Sequence, residues 1–243
     1  VWPWLRIRRG EMRWLLIAAI CSGGLQFALM YAGVALSDNL SAVAIGGQLG
    51  VPFATLLSVM WLGERIHWRR WLGIGMSFSG VVLIGFSPEV FGAWPGLLLI
   101  VAAAFIGAVG LIAIKRVRDL EPLELQAWLA WGSLPLLLPL SLLLEDGQLA
   151  SLGSAGVTGW SALLYSAVFA SLVAHTSYFA LIRRYPVSSV APVTVLTPLF
   201  SVFFSVTLLG DALDARMLLG GLLTLSGVTV ILTRERRGAA TGT

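Results

Sequence analysis

The sequence predicts an all-α integral membrane protein: a polytopic helix bundle with eight transmembrane helices in two inverted-topology repeats. Three observations favour this fold. Hydrophobic residues make up 58% of the 243 residues and charged residues 12%, whereas soluble domains contain about 25% charged residues. The apolar residues cluster into eight stretches, and 15 of the 16 Lys and Arg residues fall on one side of the resulting topology. A segment of the chain also repeats itself 147 residues later.

The eight stretches are close to the length that a membrane helix needs. A bilayer core of about 30 Å requires about 20 helical residues, within a range of about 17 to 25. The predicted spans are 14–36, 42–62, 71–86, 94–114, 125–144, 160–182, 190–209 and 217–232. The third and the eighth are short, and flanking Trp and Arg residues can compensate for the shortfall.

The positive charges predict the orientation of these spans. Short cytoplasmic loops carry an excess of Lys and Arg, and Arg216 alone falls on the other face. Both ends of the chain are therefore expected in the cytoplasm, and we expect a multi-pass protein of the bacterial inner (cell) membrane. The sequence pI near 9.8 would otherwise suggest nucleic acid as a partner. Topology explains the charge, so the lipid bilayer is the expected partner and nucleic acid is not.

The repeat predicts two halves of opposite orientation. Residues 31–84 align with residues 178–231 without a gap, and 17 of the 54 positions are identical. The copies are five spans apart, so they cross the membrane in opposite directions, as in many secondary transporters. We assign residues 1–87 to the first repeat, with three spans, and residues 88–243 to the second, with five. A complete molecule should have ten spans, so the chain is expected to be truncated at its N-terminus by two.

The ends of the two repeats resemble a known family. In the first repeat the motif residues are Leu62-Gly63-Glu64-Arg65, then Leu72-Gly73, then Ser79-Gly80-Val81. This pattern resembles the drug/metabolite transporter superfamily, EamA type, although Gly210-Asp211-Ala212 replaces Gly-Glu-Arg in the second repeat. The resemblance implies ten helices around a central cavity that opens alternately to the two faces. It implies small metabolites or drugs as substrates without naming one.

Two glutamines inside the spans are candidate substrate-binding residues. Gln26 and Gln48 carry amide groups whose donors and acceptors must be satisfied in hydrocarbon. They would hydrogen-bond a polar substrate in a cavity, or they would instead join two helices of the bundle. The sequence leaves both interpretations open.

Three further candidates come from the second repeat. His175 is the one ionisable side chain well inside a span, and Tyr178 lies on the same helical face. They would contact substrate, or His175 would stay neutral and bond a neighbouring backbone group. Thr197 precedes Pro198, and a proline frees a carbonyl one turn earlier in a helix. Such carbonyls can line a transport site, or the proline would produce only a static kink.

The sequence shows no arrangement typical of catalysis. It lacks a mid-span carboxylate, a Cys/His/acid cluster with metal-ligand spacing, a Ser/His/Asp constellation and a phosphate-binding glycine loop. We therefore predict no enzyme activity, no cofactor and no metal. The favoured function is secondary transport, in the direction of export, of small polar metabolites such as amino acids or drugs. The alternatives are a membrane enzyme acting on lipids and a non-transporting membrane partner or sensor; assembly into a homodimer stays open.

Overall fold

The computed structural model describes residues 10–37, 46–85, 94–118, 120–204, 207 and 215–240. Side chains at 84–85, 201–202, 217 and 232–240 lie outside this description. The start of the predicted second span, the end of the seventh and the Gly210-Asp211-Ala212 motif also fall outside it. All the regular structure among the described residues is helical, which confirms the predicted all-α class.

The helices follow the predicted apolar stretches in order. They are α1 (Met12–Ala35), α2 (Gly46–Leu62), α3 (Trp68–Gly85), α4 (Trp94–Arg116), α5 (Pro122–Leu144), α6 (Gln148–Ser154), α7 (Gly156–Arg184), α8, composed of Val187–Val190, Ala191–Leu196 and Thr197–Phe204, and α9 (Ala215–Ala240). The short helix α6 lies where the sequence predicted only a loop. Helix α5 begins at Pro122 because Glu121 and Glu124 form a capping box there.

Four described helices are long and apolar enough to cross a bilayer, judged by length and composition: α1, α4, α5 and α7. Three shorter apolar helices lie at Gly46–Leu62, Val187–Phe200 and Leu218–Ile231. Helix α3 has 18 residues but begins with Trp68 and two arginines. The predicted total of eight spans therefore remains a prediction.

Helices α3 and α9 pack closely and antiparallel through small residues. A Cβ on Gly73 would lie 2.8 Å from Gly227 O, and a Cβ on Gly80 would lie 2.5 Å from Gly220 O. Midway between them, Ser77 Oγ donates to Thr224 O at 3.3 Å and Thr224 Oγ1 donates to Ser77 O at 3.4 Å. Only glycine allows the backbones to approach this closely.

The largest buried cluster lies at the end of the bundle where the Lys and Arg residues gather. It joins α1, α2, α4, α5, α7 and α8 through fully buried side chains such as Ile112, Ile114, Leu125 and Ile182. A smaller cluster connects α3 and α9 to the rest through Val51 and Val195. Six helices therefore close together at this end, which we call the basic end.

Candidate functional site

A cavity of about 640 Å³ lies between six helices of the bundle. Helices α1, α2, α4, α5, α7 and α8 all contribute to its wall. Gln26 lies 14 residues after the start of α1, which places the cavity about 20 Å along that helix. Ligand pockets typically have volumes of about 300 to 1,000 Å³, so the cavity is large enough for a small molecule.

All five predicted site residues line this one cavity: Gln26, Gln48, His175, Tyr178 and Thr197. They come from four helices, α1, α2, α7 and α8, and are separated by up to 171 positions in the sequence. Within the described part of the chain, the side chains of Gln26, Gln48 and Tyr178 have no hydrogen-bond partner. Their polar atoms are therefore available to a molecule in the cavity.

A glycine on α4 makes room for the Gln26 amide. A Cβ on Gly107 would lie 2.5 Å from Gln26 Oε1 and 2.9 Å from Gln26 Nε2, which is closer than real Cβ atoms approach. Ser22, one turn earlier on α1, lies in the same way against Gly110. The two glycines of α4 thus leave space for the side chains of Gln26 and Ser22 on α1.

Prolines affect two carbonyl groups of residues that line the cavity. Because proline has no N–H, Pro52 cannot donate to the carbonyl of Gln48 and Pro198 cannot donate to that of Thr194, but Thr194 O accepts instead from Thr197 N. Gln48 and Thr194 both line the cavity, while the Thr194 hydroxyl donates to Ala191 O at 2.7 Å. Helix α8 also tightens into a 3₁₀ stretch over Ala191–Leu196. The Gln48 carbonyl therefore lacks its usual helical donor, whereas the Thr194 carbonyl has a partner in the 3₁₀ stretch.

Local π-helical turns precede two of the site residues. Residues Ala19–Leu25 of α1 and Ser166–His175 of α7 are π-helical, a form that is frequent at functional sites. Gln26 follows the first segment directly, and His175 ends the second. The imidazole of His175 lies 6.0 Å from the Phe179 ring, measured between ring centroids. The wider turn changes which side chains face inward, so simple helical spacing does not predict the whole site.

Sequence reasoning missed Gln126, Ser133 and Gly107. The Gln126 side chain lines the cavity from α5, and its Oε1 atom is buried without a hydrogen-bond partner in the described residues. Gln126 was detectable by the argument used for Gln26, an amide within an apolar stretch, but it lies next to the acidic start of the span. The contribution of Gly107 had no signal, because it depends on a contact with another helix.

At the basic end, the loop after α2 is bonded to the start of α8. Gly63 has a left-handed backbone, with φ of 69°, and Glu64 N donates to Ser58 O at 3.2 Å, which ends α2 in a Schellman turn. This turn directs the Glu64 carboxylate to α8, where it accepts from Val187 N at 2.8 Å, Ser188 N at 3.1 Å and Ser188 Oγ at 2.6 Å. Arg70 Nη1 donates to Ser188 Oγ at 2.7 Å. We call these three side chains, Glu64, Arg70 and Ser188, the basic-end clasp.

Two further basic residues bind backbone carbonyls at the same end. Lys115 Nζ donates to Ile182 O at 2.7 Å and to Tyr185 O at 2.6 Å, at the C-terminus of α7. Arg183 donates to Leu120 O and Arg118 O in the α4–α5 connection. Cations are favourable at helix C-termini. The residues that predicted the orientation therefore also hold the helix ends together.

The described residues include no group of three or more His, Cys, Asp and Glu side chains placed to hold a metal ion. The described polar side chains that line the cavity carry amides, hydroxyls and one imidazole. Such groups bind a solute reversibly through hydrogen bonds.

Comparison with protein families gives a match over most of the chain. Residues 2–86 and 94–233 match the model of the EamA-like transporter family. A solved crystal structure superposes with a TM-score of 0.78 over 97% of this chain and 80% of that chain, at 19% sequence identity. The superposition on this crystal structure shows that the two chains share a fold.

Several relatives are named as transporters. An uncharacterized transporter of Synechocystis sp. is 29% identical, over 92% of this chain and 72% of the relative. A probable amino-acid metabolite efflux pump of Salmonella typhimurium is 29% identical, over 88% of this chain and 75% of the relative. A probable terminal-alkyne amino-acid exporter of Streptantibioticus cattleyicolor is 26% identical, over 98% of this chain and 80% of the relative.

Proposed function

Since the chain belongs to the EamA-like transporter family, we propose that it exports small polar metabolites such as amino acids or drugs across the bacterial inner membrane by alternating access. The family consists of multi-pass membrane transporters and not enzymes. The observation that carries the proposal is the cavity, in which polar side chains from five helices converge between apolar walls. Relatives named as amino-acid metabolite pumps and exporters support the substrate class.

We assign substrate binding to Gln26, Gln48, His175, Tyr178 and Thr197. The amides and hydroxyls supply donors and acceptors that a polar solute loses when it leaves water. The carbonyl of Gln48, to which Pro52 cannot donate, adds an acceptor in the same wall. A cavity with these groups near the middle of the helices is the arrangement that secondary transporters use.

The buried cluster and the basic-end clasp support one state of an alternating-access cycle. They lie at the basic end, which we assign to the cytoplasm from the charge distribution. In this conformation the cavity is separated from the cytoplasmic side. Export then requires that the clasp and the apolar packing separate so that substrate can enter from within.

The α3–α9 contact supports the inverted repeat, with residues 1–87 and 88–243 as its two units. Gly73 and Gly80 occupy the same repeat positions as Gly220 and Gly227, and they contact the opposite mate in each case. Ser77 and Thr224 are themselves repeat mates and bond each other reciprocally. A two-fold axis in the membrane plane, through the Ser77–Thr224 contact, produces this pattern. Assembly into a homodimer is compatible with it, since the opposite face of α3 at Gly75 has no neighbouring atoms within 4 Å.

The test compares metabolites in the medium of cells that express the protein with those of empty-vector cells. Transport predicts that one or a few polar metabolites accumulate outside and that Gln48→Ala reduces this accumulation. Gln148→Ala is the matched control, because Gln148 begins α6, is not among the residues that line the cavity, and donates from its amide to Ser141 O and Glu145 O at the end of α5. An unchanged medium, with the protein confirmed in the membrane and intracellular pools sufficient for export, would contradict the proposal.

A further inference from the structure

The residues that line the cavity indicate which net charge a bound solute can have. Resting on the proposed transport function, we infer that the cavity selects solutes without net charge, which are neutral molecules and zwitterions, over net anions and net cations. This choice narrows the broad class of polar metabolites and drugs by a property that can be measured directly.

The described lining residues include no Lys, Arg, Asp or Glu. The polar members are three glutamines, one histidine, one tyrosine and five hydroxyl residues: Gln26, Gln48, Gln126, His175, Tyr178, Ser22, Ser133, Ser171, Thr194 and Thr197. His175 is the one lining side chain here that can become positive. The charged side chains Glu64, Arg70 and Lys115 of the basic end bond backbone groups and the Ser188 hydroxyl, and they do not line the cavity.

A net charge is costly in such a site. An ion that leaves water for an apolar cavity loses its hydration energy, and only an opposite charge or many hydrogen bonds can compensate for the loss. The walls between the polar groups are apolar and include Phe27, Val51, Leu129 and Phe179. Among the described lining residues, a net anion or cation would find partial dipoles but no Lys, Arg, Asp or Glu as a counter-charge.

A neutral solute or a zwitterion loses less hydration energy than a net ion when it enters the same cavity. The two charges of a zwitterion attract each other, so its electric field falls quickly with distance. Each glutamine amide offers two N–H donors and a carbonyl acceptor. The amides can therefore bond a carboxylate with one edge and an ammonium with the other. The carbonyl of Gln48, to which Pro52 cannot donate, adds an acceptor for the ammonium, and the buried Oε1 of Gln126 lacks a partner among the described residues.

The first experiment sorts exported metabolites by net charge. Culture media from expressing cells and from empty-vector cells are compared, and each enriched compound is assigned its charge at the pH of the medium. We expect the enriched set to consist of neutral and zwitterionic compounds. Enrichment dominated by net anions or net cations would overturn the inference while leaving the transport function intact.

The second experiment uses matched ligands with the purified full chain in liposomes. Glutamine is compared with glutamate, and norleucine with lysine, because each pair differs in charge far more than in shape. We expect the uncharged side chain to be bound or moved at least about tenfold better in each pair. Equal or better transport of glutamate and lysine would overturn the inference. If neither pair is moved while other uncharged compounds are exported, the amino-acid assignment fails and the charge selectivity stands.

A charge-converting variant tests the same inference from the protein side. Gln48→Glu places a carboxylate in the cavity, and we expect the preference for norleucine over lysine to fall about tenfold. Gln148→Glu makes the same substitution outside the cavity and should leave the preference unchanged. A preference that is the same in both variants and the unmodified protein would contradict the assigned lining. The ligand comparison above does not depend on either variant folding.

Discussion

Replacement of Glu64 by Gln is expected to loosen the start of α8. The Glu64 carboxylate accepts three hydrogen bonds at Val187 and Ser188, where the backbone N–H groups of the first helical turn have no partner within the helix. Glutamine is nearly isosteric but has one acceptor oxygen and no charge. The substitution therefore removes the charge and one of the two acceptor oxygens at residue 64 without creating a cavity.

The expected magnitude follows from the number and kind of these bonds. A hydrogen bond to a charged group contributes about 1.5–3 kcal/mol, and loss of a helix N-cap costs about 0.5–2 kcal/mol. Because Glu64 is half-buried and glutamine retains one acceptor, we expect a local loss of about 1.5–3 kcal/mol rather than the sum. At about 1.4 kcal/mol for each factor of ten, this is a roughly 10- to 150-fold increase in local opening.

Amide hydrogen exchange of the purified protein measures this opening directly. The amides of Val187 and Ser188 should exchange faster in Glu64→Gln by that factor. Glu145→Gln is the matched control, since its carboxylate accepts from Ser141 at the opposite end of α5. That control should leave both amides unchanged.

Exchange at Val187 and Ser188 within about twofold of the unmodified protein would refute the assigned contact. A second variant, Ser188→Ala, separates the side-chain bond from the backbone bonds. It removes the hydroxyl that Glu64 and Arg70 share but leaves the two backbone N–H donors. Its effect on exchange should therefore be smaller than that of Glu64→Gln.

Three further predictions concern packing and the cavity. Gly80→Ala should lower the free energy of unfolding by about 1–3 kcal/mol, because its Cβ would lie 2.5 and 2.7 Å from backbone atoms of α9. Thermal unfolding in detergent measures this effect. Gly75→Ala is the control, since a Cβ there has no atoms within 4 Å, and it should unfold at an unchanged or higher temperature. Gly107→Ala should displace the amide of Gln26 and reduce transport several-fold at unchanged membrane abundance. An unchanged transport rate would contradict the contact between Gly107 and Gln26. Gln48→Ala and His175→Ala should each reduce transport by roughly tenfold, and intact kinetics in both would show that the site assignment is wrong.

Much of the fold follows from local sequence properties. The α1, α4, α5 and α7 segments were detectable because apolar length is a property of one continuous stretch. Element ends were less certain: α5 begins at Pro122, three residues before the predicted start, because the Glu121–Glu124 capping box extends the helix. Helix α6 was missed because Gln148–Ser154 is short and its sequence has no strong period.

The site was predicted unevenly for a physical reason. A polar side chain within an apolar stretch is visible without knowing its neighbours, so Gln26, Gln48 and His175 could be selected. Gly107 could not, since its role is to leave space for a side chain on another helix. The π-helical turns that end at Leu25 and His175 also had no sequence signal.

The sequence by itself determined that the chain is helical, that basic loops follow every second apolar stretch, and which polar groups must find partners inside the bundle. These properties depend on hydropathy, charge and local spacing. Only the tertiary structure decided that five candidates meet in one cavity and that Glu64 bonds Ser188, 124 positions later. The reason is that such contacts depend on how separate helices are placed. A single apolar stretch constrains its own length and faces but not its neighbours.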